Sequence, residues 1–162
     1  MIRVLTLMIT AAVAATALLS AELSAHIRGT ASGIQQESAA SQDVPAYHTG
    51  APKEPLPKTL NPDKFEDPIA KNAYAMAARI EEVLYQQPCY CHCDQTDHHA
   101  SLLDCFVDSH GESCDICQRE AIFAYGESKK GKSADEIRNE IMDGKYIQVN
   151  LDEYRTVIKL DK

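Results

Sequence analysis

All six cysteines of the 162-residue chain fall between positions 89 and 117, as Cys89, Cys91, Cys93, Cys105, Cys114 and Cys117. Four of the six histidines, His92, His98, His99 and His110, share that stretch. From Ile80 to Gln118 there is no Lys or Arg, while Glu81, Glu82, Asp94, Asp97, Asp104, Asp108, Glu112 and Asp115 add eight negative charges, as many as the net charge of the whole chain. Thiols, imidazoles and carboxylates without a competing cation suit a soft or borderline metal ion. Two other chemistries use the same residues. Six thiols can close into three structural disulfides, and close thiol pairs can exchange electrons with a partner.

The rest of the chain narrows the setting. Residues 1–25 read as a signal peptide or membrane anchor: Arg3 precedes an apolar run over 4–19, with small residues at Ser20-Ala21 and Ser24-Ala25 for cleavage. The expected location is therefore extracytoplasmic, in a periplasm or at a cell surface, where disulfides are permitted. The chain beyond Ala25 is long enough for one domain and not two. An acidic balance, with a sequence pI near 5.2, argues against nucleic acid and anionic lipid as partners and leaves membrane contact to the N-terminal segment.

Residues 26–66 read as a flexible linker rich in Ser, Gln and Pro, with Leu56, Leu60 and Phe65 as apolar exceptions suited to docking. A Cys-rich helical domain is expected over 67–145. Asp67-Pro68 supplies an N-cap and a first-turn proline for a helix that the apolar spacing carries from Ile69 to Leu84 and that Pro88 stops. The run from Cys89 to Cys93 is expected to be extended, with its three sulfurs on one side; α-carbons about 6.5 Å apart make metal capture easier than disulfide closure. Ser101 to Asp104 resembles a capping box ahead of a short helix carrying Cys105; His98-His99 read first as solvated loop residues, with one or both capping a metal site as the alternative.

A helix from Ser109 to Gly131 is expected to place His110, Cys114 and Cys117 within 60° on one face, with Ala121 and Ala124 leaving room for the Cys89 to Cys93 segment. Ser133 to Glu136 is a further capping box, for a helix that Gly144 ends. Tyr146 to Val149 and Tyr154 to Ile158 are β-prone, so 146–162 forms an extension in which a hairpin is allowed. The fold class expected is mainly α, about four helices around a Cys-rich loop.

Pro88-Cys89-Tyr90-Cys91-His92-Cys93, together with Ser101 to Asp108 and Cys114-x-x-Cys117, resembles the bacterial PCYCGC-motif family, also called the CYCXC family. The resemblance covers roughly residues 56–143, with His92 where the motif has glycine. It implies an exported or membrane-attached bacterial protein. Some relatives place selenocysteine at motif cysteines, which the resemblance turns toward redox chemistry or soft-metal capture. The leading expectation is a binding protein for Cu(I) or zinc. Its ligands are Cys89, Cys91, Cys93, Cys114 and Cys117, with Cys105 and His110 secondary, and a membrane or exported metal-handling or redox protein is the expected partner. Thiol oxidoreductase and disulfide-stapled interaction domain stand as the alternatives.

Overall fold

The computed structural model describes residues 43–160. The expected export segment at 1–25 and the first part of the linker lie outside the described residues. Seven α-helices make up the domain: α1 Pro68–Ala77, α2 Glu81–Leu84, α3 Cys93–Thr96, α4 Asp104–Val107, α5 His110–Ser113, α6 Asp115–Lys129 and α7 Ala134–Met142. Three 3-10 turns, Pro62–Lys64, Lys145–Gln148 and Leu151–Tyr154, flank them. There is no strand among the described residues, so the protein is mainly α.

Helix α1 starts where local chemistry says it should. The Asp67 carboxylate accepts from the Ala70 backbone N–H at 2.9 Å, and Pro68 occupies the first turn. It ends sooner than the apolar spacing suggests. Arg79 and Ile80 donate to Met76 and Ala77, tightening the last turn, and Ile80 leaves the helix at φ −136°, ψ 33°. Neither glycine nor proline marks the break. It lets the chain resume as α2 with both Ile80 and Leu84 buried.

The core is built on α1 and α6, the two longest helices, which pack against each other. Tyr74 of α1 is fully buried between Phe65, with ring centroids 4.0 Å apart, and Phe106, 4.9 Å away and edge-on. Offset and edge-on geometries suit aromatic quadrupoles and add about 1 kcal/mol per pair to the burial term. The Tyr74 hydroxyl donates to the Asp108 carbonyl at 2.7 Å, so this buried polar tip is satisfied and also ties α1 to the end of α4. Gly111 must be glycine for α5 to sit here. A Cβ at that position would lie 3.0 Å from both the Cys105 carbonyl oxygen and the Phe106 ring.

Residues 43–66 run along the domain: Phe65 is buried, the Leu60 N–H donates to the Phe106 carbonyl at 2.8 Å, and His48 stacks on Tyr85 with ring centroids 3.9 Å apart. At the other end no hairpin forms. Tyr146 lies in a 3-10 turn and Tyr154 ends another. The backbone groups that a second strand would have paired go to Asn72 instead. Its side chain donates to the carbonyls of Tyr154 (2.9 Å) and Thr156 (2.8 Å) and accepts from the Ile158 N–H (2.9 Å). One buried amide on α1 therefore holds the C-terminal segment, and β-propensity is overridden by this tertiary pairing.

A candidate metal centre

The Cys89 to Cys93 loop is a turn and not an extended run. Gln87 sets its entrance, accepting the Leu102 N–H on its carbonyl at 2.9 Å and donating its side-chain amide to Ala134 at 3.1 Å. The Tyr90 N–H donates to the buried carboxylate of Glu120 on α6 at 2.9 Å. The His92 N–H closes the turn on the Cys89 carbonyl at 3.1 Å, and His92 itself is left-handed, φ 59°, ψ 32°. That conformation costs a side-chain-bearing residue roughly 1 kcal/mol relative to glycine, and it reverses the chain so that Cys93 opens α3. The His92 ring stays beside Tyr90, in edge contact at 6.3 Å, and joins no ligand group.

The second half of the site comes from α4, α5 and α6. The single helix expected over 109–131 is two, broken at Cys114, whose φ −102°, ψ 103° is extended backbone. Ser109 stands at the start of α5 without capping it. Asp104 does use its carboxylate at the head of α4, accepting from the N–H groups of Ala100 (2.7 Å) and Ser101 (3.2 Å). The break at Cys114 does not scatter the three side chains. Cys91, His110, Cys114 and Cys117 hold their ligand atoms within 4.8 Å of one another. Cys117, Ala121 and Ala124 are fully buried on α6, and the cysteine loop meets that helix at Cys117 and Glu120.

All six cysteines are free thiols and all belong to one contiguous cluster. Cys89 Sγ stands 3.3 Å from Cys91 Sγ and 3.3 Å from Cys117 Sγ, Cys91 Sγ is 3.6 Å from Cys117 Sγ, and Cys93 Sγ is 3.3 Å from Cys105 Sγ. Sulfurs bound at about 2.3 Å to one tetrahedral ion sit nearly 4 Å apart, so these contacts need only a few tenths of an ångström of relaxation to receive one. A Cys/His cluster able to hold a metal ion is therefore present. A cavity of about 590 Å³ lies elsewhere, and one of about 400 Å³ borders the loop at Tyr90 and His92; neither is lined by a cysteine.

The protons in the cluster are unevenly held. Neighbouring thiols, Cys105 foremost, donate toward Cys91 and pull its pKa down, while the same kind of contacts, again led by Cys105, push buried Cys117 up. Cys91 is also among the less buried thiols. Behind the loop, Glu120 is wholly buried, and desolvation raises its carboxyl to about 8 against the hydrogen bonds from Tyr90 and Cys89 that oppose the shift.

Two further residues join the site, and their place in it is decided by the fold: the first reading of His99 as a solvated loop residue is corrected, and Asp97 lies behind a histidine as a rim carboxylate able to orient a ligand would. His99 is 9% exposed, not solvated: its Nδ1 lies 3.3 Å from Cys105 Sγ and its Nε2 3.0 Å from Asp108 Oδ2. Its neighbour His98 is the exposed one, left-handed at φ 60°. Asp97 stands 3.6 Å from His110 Nδ1, with Cys91 Sγ 3.5 Å from that ring's Nε2. Nothing in a pair of adjacent histidines tells which one turns inward.

Comparison with known families recognises the motif loop together with most of the rest of the chain. Residues 4–152 match the family described as "Protein of unknown function with PCYCGC motif". The chain belongs to that PCYCGC family. No curated protein and no solved structure matches it. In this PCYCGC protein the motif's glycine position is the left-handed His92, which explains what that position asks of the backbone.

Proposed function

We propose that the chain is an extracytoplasmic binding protein for a soft or borderline transition metal, Cu(I) or Zn(II). The observation that carries this reading is the group Cys91, His110, Cys114 and Cys117, four donors from three segments within 4.8 Å of one another, with the Asp97 carboxylate behind the imidazole. Three thiolates and an imidazole make a tetrahedral donor set of the kind zinc takes, and a carboxylate behind a ligating histidine fixes its tautomer and orientation. Cys89, Cys93 and Cys105 extend the thiol supply. A membrane or exported metal-handling or redox protein is the partner that such a carrier needs. No helix among the described residues is long and apolar enough to cross a membrane.

The direct test sets the reduced protein against chelators of graded strength with Cu(I), Zn(II) or Ca(II). The soft ions should be retained and Ca(II), which needs more oxygen ligands, should not. Each thiolate must lose a proton to bind, so retention should weaken as pH falls below neutrality. Replacing Cys114 or Cys117 by Ser should weaken uptake far more than His98→Ala, since His98 is exposed and outside the cluster. Indifference to alkylation of the six cysteines would sink the proposal.

Export is a separate proposal, motivated by Arg3 and the apolar run after it. Residues 1–25 fused to a reporter active only outside the cytoplasm should give signal. Signal only from a reporter active inside would overturn it. Thiol exchange is the second reading, favoured by three sulfur pairs at 3.3 Å and by the lowered pKa of accessible Cys91.

A further inference from the structure

The cluster offers eight donors, enough for two sets of four, although His110 also lies within 4.8 Å of Cys93 and Cys105, and Cys117 of Cys89 and Cys105. Cys91, Cys114, Cys117 and His110 form the first. The three cysteines left over are mutually close as well: Cys89 lies within 4.8 Å of both Cys93 and Cys105, and Cys93 Sγ is 3.3 Å from Cys105 Sγ. His99 Nδ1, 3.3 Å from Cys105 Sγ, supplies a fourth donor on that side. Both histidines are built alike. His110 faces Cys91 Sγ with one nitrogen and Asp97 with the other, at 3.5 and 3.6 Å, while His99 faces Cys105 Sγ and Asp108 at 3.3 and 3.0 Å. A carboxylate behind an imidazole that faces sulfur is how proteins orient a histidine toward a metal.

Resting on the metal-binding reading above, we propose that the chain holds two divalent ions of borderline softness with tetrahedral preference. One sits in Cys91, Cys114, Cys117 and His110, the other in Cys89, Cys93, Cys105 and His99. A single ion would use four of the eight donors and leave three clustered thiols, including fully buried Cys105, unused as ligands. Two ions use all eight. Cys89 Sγ, in contact with Cys91 and Cys117, is the seam between the sets. The balance is two divalent ions and six thiols giving two tris-thiolate centres and six released protons, with no change of oxidation state. Such ions would share one acidic shell, so the second centre fills against the charge of the first, which three thiolates have made negative.

The test is an anaerobic titration of the reduced full-length chain with Co(II), read by thiolate-to-metal charge-transfer absorption, alongside Zn(II) counted by native mass spectrometry. The expected result is a break at two equivalents and two zinc ions per chain. His99→Gln and the exposed-site variant Asp108→Asn should each weaken one ion, by about 10-fold or more, and leave the other. His110→Gln should weaken the other one. Asp108 also accepts the His110 N–H on Oδ1 at 2.8 Å, and Asp108→Asn keeps an oxygen for that bond while removing the carboxylate behind His99, so a fold defect or a displaced His110 cannot stand in for the effect. One ion per chain, or three or more ions sharing all six thiols, overturns the two-centre proposal and leaves metal binding standing. No ion bound by the reduced chain overturns both.

Discussion

Excess Zn(II) should raise the melting temperature of the reduced, metal-free protein by about 15 °C. An ion at a thousand times its dissociation constant contributes about 4 kcal/mol when it binds only the folded state, and in a domain of this size that corresponds to roughly 3–4 °C per kcal/mol. The shift is expected to be large because the ligands come from separate places in the chain, the 89–93 loop, α4, α5 and the head of α6, which only folding brings within 4.8 Å. An unfolded chain offers no comparable set. Differential scanning fluorimetry with Zn(II), and with Ca(II) as control, checks it. Equal shifts from both ions, or a shift that survives alkylation of the cysteines, would contradict the account.

The second large effect is a pH dependence that Glu120 imposes on the metal-free fold. Its ordinary pKa is 4.5 and burial raises it to about 8. Below 4.5 both states are protonated and the group contributes nothing. Between 4.5 and 8 the unfolded chain has lost the proton that the folded chain keeps, so stability falls as pH rises through that window, and it levels off above 8. The full span is about 5 kcal/mol at 1.36 kcal/mol per pH unit. Glu120→Gln keeps an oxygen to accept from Tyr90 and has no proton to lose. Denaturant melts of the two proteins from pH 4 to 8 should therefore diverge, with the variant gaining relative to the parent as pH rises. Parallel curves would mean that the Glu120 carboxylate is ionised inside the fold.

The features legible in the sequence are those decided within a few residues. Asp67 caps α1, Ser133 and Glu136 close the box at the head of α7 with both reciprocal hydrogen bonds, and Gly131 and Gly144 take the left-handed positions after α6 and α7. The illegible ones are decided by packing. The breaks at Ile80 and Cys114 carry no proline or glycine. Each exists because the following segment gains burial by turning. Helical periodicity still places His110, Cys114 and Cys117 together, for a reason the structure replaces: Cys114 lies at the joint between two helices, not on one face. The Cys89 to Cys93 run fails as an extended segment because His92 turns left-handed and Tyr90 is held by a carboxylate thirty residues on. That His99 and not His98 turns inward is not legible locally, because the partner of His99, Asp108, is nine residues away and reaches it only after α4 has folded.

The central claim is that these six cysteines serve as metal ligands and not as disulfides, and one measurement bears on it directly. The exported protein would be isolated without reductant, weighed intact under native conditions, then stripped by a chelator and alkylated, again without reductant. The account predicts an intact mass above that of the bare chain by bound metal, and six alkyl groups added after stripping. A bare-chain mass lowered by two hydrogens per bridge, with no metal and fewer than six alkyl groups taken up, would contradict it.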